Sequence, residues 1–224
     1  MQVTLHEVVQ ITPDTYSFWF VPEQPMRYQA GQFIELTLQH EDADTRGIRR
    51  WFTLSSSPTE PRLAITTKLP VAGTSSYKNF LYQMRPGSHA AMSSPMGDFV
   101  LPRNVQAPIV FIAGGIGITP FRSMVRWLID NGEQRRVYLL YGAESLEHFA
   151  FRDELESYNL SSKYQVGLHS ITSSSVLELI RPLVKPLVYI AGPEPMVEML
   201  VANLQADGVP QRQLVTDYFS GYEV

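Results

Sequence analysis

The apolar residues of this chain change their period about half-way along it. From Val3 to about Leu101 they fall in short runs rich in β-branched and aromatic residues, near residues 3–10, 15–21, 31–38, 49–55, 62–69 and 89–101. Gly31, Pro58, Pro61, Pro70, Gly87, Pro95 and Gly97 punctuate these runs. Short strands separated by turn residues predict a six-stranded closed β-barrel, because closure removes exposed strand edges. One interruption reads as helix, around Ser75 to Met84, where Tyr77, Phe80, Leu81 and Met84 share a face. From about Ala107 apolar runs alternate with helical patterns instead. Residues 109–113, 137–141, 164–168 and 187–191 read as strands buried on both faces, as a parallel sheet demands. Helices are expected near 120–131, 149–158, 175–181 and 195–206, the first with Phe121, Met124, Val125 and Leu128 in one stripe and Gly132 as its stop. This is a βαβ array, hence a doubly wound α/β domain. The linker-like stretch Pro102 to Pro108 separates the two, giving domains 1–104 and 105–224, with no internal repeat.

Composition narrows the chemistry. There is no cysteine, which excludes disulfides, thiolate nucleophiles and cysteine-ligated zinc or iron–sulfur clusters. Redox chemistry would therefore need a borrowed cofactor. The net charge of −4, with basic residues scattered, lacks the positive footprint of a nucleic-acid binder. No apolar stretch reaches the roughly 18 residues of a membrane span, and MQVTLHEVVQ has no positive segment before an apolar run. A cytoplasmic protein is the expectation by default. His6, His40, His89, His148 and His169 show no metal-ligand spacing, so no metal is assigned.

Three segments are candidates for ligand chemistry. AGGIGITP (113–120) follows a strand and opens a helix, where Gly114, Gly115 and Gly117 let the backbone turn and approach a ligand. Thr119 is expected to cap the helix and Pro120 to sit in its first turn, leaving amides that face an anion. Pro120 replaces the third glycine of the dinucleotide fingerprint, and no Gly-Lys-Ser/Thr follows. Taken alone, the segment also fits a glycine-rich turn that binds nothing. RRWFTLSSSP (49–58) puts Arg50, Phe52 and Leu54 on one face and Trp51, Thr53 and Ser55 on the other. An arginine, an aromatic and a hydroxyl so close together suit a phosphate, a planar ring and a ring nitrogen. On pattern alone it is as readily an ordinary half-buried strand, with Trp51 and Trp127 as packing residues. AGTSSYKNFL (72–81) opens the barrel's helix with small hydroxyl residues, either a simple cap or a second anion site. SPMGDF (94–99) reads as a turn into a strand.

Together with YGAESLEHFAFRDEL (141–155), AGPEPM (191–196) and TDYFSGY (216–222), these segments resemble, in order and over essentially the whole chain, ferredoxin–NADP reductase-type flavoproteins. The resemblance implies a Greek-key barrel that binds FAD and a following domain that binds NADH or NADPH. It further implies hydride transfer from nicotinamide to flavin N5, with electrons released to an acceptor.

Residue by residue, Arg50 matches the arginine that grips the flavin pyrophosphate. Phe52 replaces the usual ring-packing tyrosine, and Thr53 matches the hydroxyl near N5. A charge-assisted contact of the Arg50 kind is worth about 1.5–3 kcal/mol. Trp51, within that motif, and Thr67 are counted with the cofactor-binding set. The Gly-x-x-Ser phosphate segment matches Gly73, Thr74 and either Ser75 or Ser76. Gly114, Gly115, Gly117 and Thr119 match the pyridine-nucleotide loop, and Gly192, Pro193 and Met196 match a Cys-Gly-x-x-x-Met motif in which Ala191 stands for the cysteine. Glu144 occupies a position where many relatives have arginine. Within about 4 Å a carboxylate repels a ribose 2′-phosphate by roughly 4 kcal/mol per charge pair and accepts hydrogen bonds from a free diol, so NADH is expected over NADPH. Arg122, Arg152 and Lys163 are the nearby cations that could still reach such a phosphate. In TDYFSGY, Asp217 takes the acidic position near the flavin, with catalytic weight on Thr53, Asp217 and Phe219. Phe219 or Tyr222 either covers the ring until nicotinamide arrives or merely packs the last strand.

The first functional expectation is a stand-alone NAD(P)H-dependent FAD reductase with an external acceptor: a ferredoxin, a flavodoxin or an oxygenase component. A flavin reductase using flavin as a diffusing substrate is the alternative, favoured by Phe52 and Ala191. A non-catalytic nucleotide-binding module comes third, against which the intact Arg50, Thr53 and glycine loop count.

Overall fold

A computed structural model describes residues 1–69, 75–167 and 171–219. The first half is a six-stranded antiparallel sheet of β1 (Gln2–Gln10), β2 (Thr15–Pro22), β3 (Phe33–Thr37), β4 (Arg49–Thr53), β5 (Leu63–Lys68) and β6 (His89–Met92). Their order, β4-β3-β6-β1-β2-β5, is a Greek-key arrangement, and the bridge between Leu54 and Ile65 stitches its two edges together. The barrel core is filled by Val3, Leu5, Phe18, Phe20, Ile34 and Leu36, and is closed at one end by α1 (Ser76–Gln83). Tyr77 of that helix is fully buried, and its hydroxyl donates to the Leu36 carbonyl at 2.9 Å. The last barrel run is shorter than its apolar pattern predicts. Its strand ends at Met92, with one further bridge from Met96 to Phe33, because Pro95 and Gly97 (φ +95°) break the extended backbone.

The second half is a parallel sheet of β7 (Ile109–Gly114), β8 (Val137–Ala143), β9 (Ser161–Val166), β10 (Leu187–Pro193) and β11 (Leu214–Phe219), ordered β11-β10-β7-β8-β9. Alternation along β7 explains the two covering layers. Ile109, Phe111 and Ala113 face α2 (Thr119–Asp130) and α3 (Arg152–Glu156). Val110 and Ile112 face α4 (Ser173–Ile180) and α5 (Glu194–Ala206). Gly132 stops α2 as expected, in the left-handed region at φ +61°. Its amide donates to Ile129 and the Glu133 amide to Leu128, so two end carbonyls are satisfied. The strand expected at 164–168 instead lies at Ser161–Val166 and is largely exposed, because it is the sheet edge rather than an interior strand. The expected helix 149–158 is reduced to a 3-10 turn, Leu146–His148, and the five-residue α3.

The two halves share a core. Ala30 and Phe99 from the barrel half pack with Phe121, Met124 and Tyr189. Phe99 meets Tyr189 edge-on at 5.2 Å, and the Tyr189 hydroxyl donates to the Val100 carbonyl at 2.8 Å. The segment PMGDF therefore holds the halves together. Gly31 is required for the same contact, since a Cβ there would lie 2.1 Å from the Phe99 carbonyl oxygen.

Candidate functional site

The strand order reverses between β7 and β10, so the loops leaving the C-terminal ends of those two strands run to opposite sides, the place where open α/β sheets bind ligands. The glycine segment lies there, as a 3-10 turn, Gly115–Ile118, running directly into α2. Its glycines divide by purpose. A Cβ on Gly117 would sit 2.2 Å from the Ala191 carbonyl oxygen, and one on Gly114 2.5 Å from the Met196 sulfur. A Cβ on Gly192 would likewise sit 2.5 Å from the Met196 methyl. Gly117 is therefore demanded by packing against the β10 backbone, whereas at Gly114 and Gly192 the close neighbour is the flexible end of Met196, which can shift. Gly115 alone combines a left-handed φ of +52° with open space on its Cβ side, and so is where a ligand could approach the backbone. Thr119 does not cap α2. It is already helical and buried, its hydroxyl donating to the Ile116 carbonyl at 3.1 Å. Pro120 occupies the first turn as expected.

On the barrel side, Arg50 reaches toward α1. Its Nη1 donates to the carbonyls of Arg46, Gly47 and Arg49 at 2.8, 3.2 and 2.6 Å, and its guanidinium lies 5.0 Å from the Tyr77 ring centre. Its Nη2 is buried, with no hydrogen-bond partner among the described residues. A buried charged donor without an acceptor is costly, so this atom fits an anionic group such as a phosphate oxygen. Lys78 adds to the same positive field: burial pushes its ammonium below the usual lysine range, and repulsion from Arg50 and Lys68 pushes it further. An anion between them would relieve both residues. Phe52 stacks on Tyr77 at 6.1 Å within the barrel core.

The start of α1 is less open than its sequence predicts. Ser75 is the cap, accepting the Lys78 amide at 3.3 Å. Ser76 donates its amide to the Asp44 carboxylate at 3.0 Å and accepts the Asp44 amide on its hydroxyl at 2.9 Å. Arg46 pairs with the same carboxylate at 2.8 Å and, with the Ser76 amide, holds it well below the ordinary range. The helix start does attract an anion, but the chain supplies it. Gly73, Thr74, Tyr222 and the His169-Ser170 pair lie outside the described residues.

The two sides meet at Thr53 and Asp217. Thr53 ends β4 and is buried, and among the described residues its hydroxyl closes no hydrogen bond of normal geometry. It lies near enough to Asp217 to favour the charged carboxylate, as the Tyr218 amide also does. Burial outweighs both and pushes the Asp217 carboxyl up to about 6. Asp217 pairs in register with Ala191 of β10, next to the carbonyl that Gly117 touches, while Phe219 pairs with Pro193. Arg50 is three residues from Thr53, about 10 Å along an extended strand.

Three expectations change. Trp51 is not a packing residue: it is 66% exposed, tilted over Phe33, with its indole donating to Glu35 at 3.3 Å. Thr67 is buried in β5, and among the described residues no hydrogen bond joins it to the other candidates. Arg122, Arg152 and Lys163 are engaged elsewhere, Arg122 by Glu60 and Glu154, Arg152 by Glu156, and Lys163 by Glu178. Glu154 is therefore a partner of the buried Arg122 guanidinium. Glu144, half-exposed just past β8, lies 3.8 Å from the Lys68 ammonium, which Asp14 holds at 2.9 Å. His148 completes this group, so Asp14, Glu144 and His148 gather around a lysine that already supplies a cation. The histidine spacing gave no sign of this, because two of the four residues come from the barrel.

Residues 2–101 match the family model of an oxidoreductase FAD-binding domain, and residues 111–202 that of an oxidoreductase NAD-binding domain. The chain belongs to the ferredoxin–NADP reductase-type flavoprotein superfamily. Its curated relatives in this superfamily include the glycine betaine monooxygenase reductase subunit of Chromohalobacter salexigens, 27% identical over 90% of this chain and 59% of that one. Another is the ferredoxin reductase component of the 3-ketosteroid-9-alpha-monooxygenase of Mycobacterium tuberculosis, 30% identical over 100% of this chain and 66% of that one. The chain thus spans about three-fifths of the length of these relatives. A solved ferredoxin–NADP+ reductase from Plasmodium falciparum with 2′P-AMP shares the fold, with a TM-score of 0.82 at 16% identity, covering 97% of this chain and 95% of that one. No helix among the described residues is long and apolar enough to cross a membrane. Within this flavoprotein frame, Lys78 and Asp44 are the site neighbours that sequence reading missed. Lys78 stood in plain view inside AGTSSYKNFL, one helical turn from the cap.

Proposed function

We propose that this chain is an FAD-dependent reductase that takes a hydride from NADH in preference to NADPH and passes electrons to a separate acceptor, such as a small redox protein or an oxygenase component. Bound flavin supplies the hydride-accepting and electron-releasing chemistry. The observation that carries the reading is the orphaned, buried Nη2 of Arg50 beside Lys78, on the strand whose other end, Thr53, meets Asp217 at the nucleotide crevice. In this reading residues 1–104 form the flavin-binding unit and residues 105–224 the nucleotide-binding unit.

Arg50, with Lys78, neutralises the cofactor pyrophosphate, and Phe52 together with Trp51 borders the flavin. Thr53 presents a hydroxyl with an unused hydrogen bond to the reacting edge of the ring. Asp217, which carries its proton only below about pH 6, stands beside the Thr53 hydroxyl, so negative charge at the reacting edge appears as pH rises through that value. Gly115 receives the pyridine nucleotide's phosphates, with Gly114, Gly117, Gly192, Pro193 and Met196 forming the packed floor beneath it. Glu144 accepts the ribose diol, and the engagement of Arg122, Arg152 and Lys163 in ion pairs supports the NADH preference.

One observation favours flavin as an exchanging substrate: Asp44 already holds the Ser76 amide, and Phe52 lacks a phenol. Anaerobic titration of FAD-loaded protein with NADH and, separately, NADPH tests the proposal. Bleaching of the flavin at lower NADH than NADPH is expected. Absence of bleaching with either nucleotide would refute it, and a higher specificity constant for NADPH would refute the Glu144 assignment. A protein that purifies colourless but turns over added flavin would favour the exchanging form.

A further inference from the structure

The helix that begins at the glycine turn is fastened to the loop that follows the flavin-motif strand, and one buried side chain makes most of the attachment. Arg122, three residues after Thr119, is 7% exposed. Its Nη1 donates to the Ser55 carbonyl at 3.0 Å and to Glu60, its Nη2 to Glu60 at 2.9 Å, and its Nε to Glu154 at 2.9 Å. The plane of the guanidinium is flanked by Trp19 and Phe151, each 5.6 Å away. The neighbouring Ser123 hydroxyl donates to the Ser56 carbonyl at 2.6 Å, and Glu60 in turn accepts the Ser57 amide at 2.6 Å. The grip thus falls two residues beyond Thr53 on one side and one turn beyond the glycine segment on the other.

We propose that Arg122 is a positioning residue that sets the separation and tilt between the flavin and the nicotinamide, and so governs hydride transfer without touching either ring. This rests on the reductase reading above. The physical reason is geometric. Arg122 spans β4's exit loop, the helix after the nucleotide turn and α3 with one rigid, planar donor set. A lysine can reach one of these acceptors but not three, so the seam beside the two ring sites would loosen while the Phe99–Tyr189 contact still joins the halves. Displacement of reacting groups by about 1 Å costs on the order of a hundredfold in rate.

The test is Arg122→Lys, with the pair Arg122→Met and Glu60→Gln as a second variant that leaves no unpaired buried carboxylate at Glu60. Three quantities are read on FAD-loaded protein: the dissociation constants for FAD and NADH, the single-turnover rate of flavin bleaching, and the long-wavelength absorbance that appears when nicotinamide stacks against flavin. The expected result is a bleaching rate lower by about tenfold or more, a diminished stacking absorbance, and dissociation constants within about threefold of wild type, which is under 0.7 kcal/mol. A folded variant of either kind with unchanged rate and absorbance would overturn the proposal. So would a loss of rate fully accounted for by weaker FAD or NADH binding. Wild-type protein that neither nucleotide bleaches would instead refute the reductase reading itself.

Discussion

Replacing Asp217 by asparagine should make the protein more stable near neutral pH and not at acid pH, and the structure sets the size of the difference. Burial pushes the Asp217 carboxyl from 3.8 to about 6, against smaller opposing pulls from Thr53 and the Tyr218 amide. Because the folded value is the higher, the unfolded chain releases this proton first as pH rises. The unfolded state then binds fewer protons, so the aspartate's contribution to stability falls between about pH 4 and pH 7. At about 1.4 kcal/mol per pH unit, the gap between the two values amounts to about 3 kcal/mol. Asparagine does not titrate, so the stability of Asp217→Asn relative to wild type should rise by about 2 kcal/mol of this between pH 4.5 and pH 7.5, whatever the amide's own packing costs. Urea denaturation of both proteins at pH 4.5, 6 and 7.5 measures the relative change directly. A difference that stays constant across the three pH values, or one that moves the other way, would refute the claim that burial dominates at this carboxyl.

Arg50→Ala should weaken FAD binding about tenfold to a hundredfold, the equivalent of a charge-assisted contact, with little change in NADH affinity; equal FAD affinity, measured by flavin fluorescence quenching, would remove the arginine from the phosphate site. Gly117→Ala drives a Cβ to 2.2 Å from the Ala191 carbonyl oxygen, so it should cost about 1–3 kcal/mol and lower the thermal midpoint by several degrees. Gly115→Ala meets open space and should lose only about 1–2 kcal/mol to its left-handed backbone while weakening nucleotide binding more than Gly117→Ala does. If the two ranked the other way in thermal melts and NADH titrations, the division between packing and binding glycines would be wrong. Asp44→Ala, by freeing the Ser76 amide, should tighten FAD binding up to about fivefold; a weaker complex would show that Asp44 supports the phosphate site rather than competing for it.

The architecture was legible wherever local pattern and tertiary environment agree. The alternating face of β7, the stripe on α2 and the Gly132 stop are local signals that the sheet and its layers merely complete. The misplaced β9 shows the limit. Its apolar run suggested an interior strand, but position in the sheet order decides burial, and no local residue records that order. The site divides in the same way. AGGIGITP marks the turn, but only the contact with the Ala191 backbone, some 75 residues away, shows that Gly117 serves packing while Gly115 faces open space. Arg122 read as a surface cation within reach of a phosphate because its acceptors, Ser55 and Glu60, belong to the other half of the chain. The gathering of Asp14, Lys68, Glu144 and His148 was hidden for that reason too.

The central claim is that the arginine strand and the glycine turn bring flavin and nicotinamide face to face in one crevice. Stopped-flow reduction of FAD-loaded protein by NADH deuterated on either face of nicotinamide C4 tests it directly. The account predicts single-turnover bleaching that is slowed by deuterium on one face and not on the other. Bleaching insensitive to deuterium on both faces, or none at all, would contradict it.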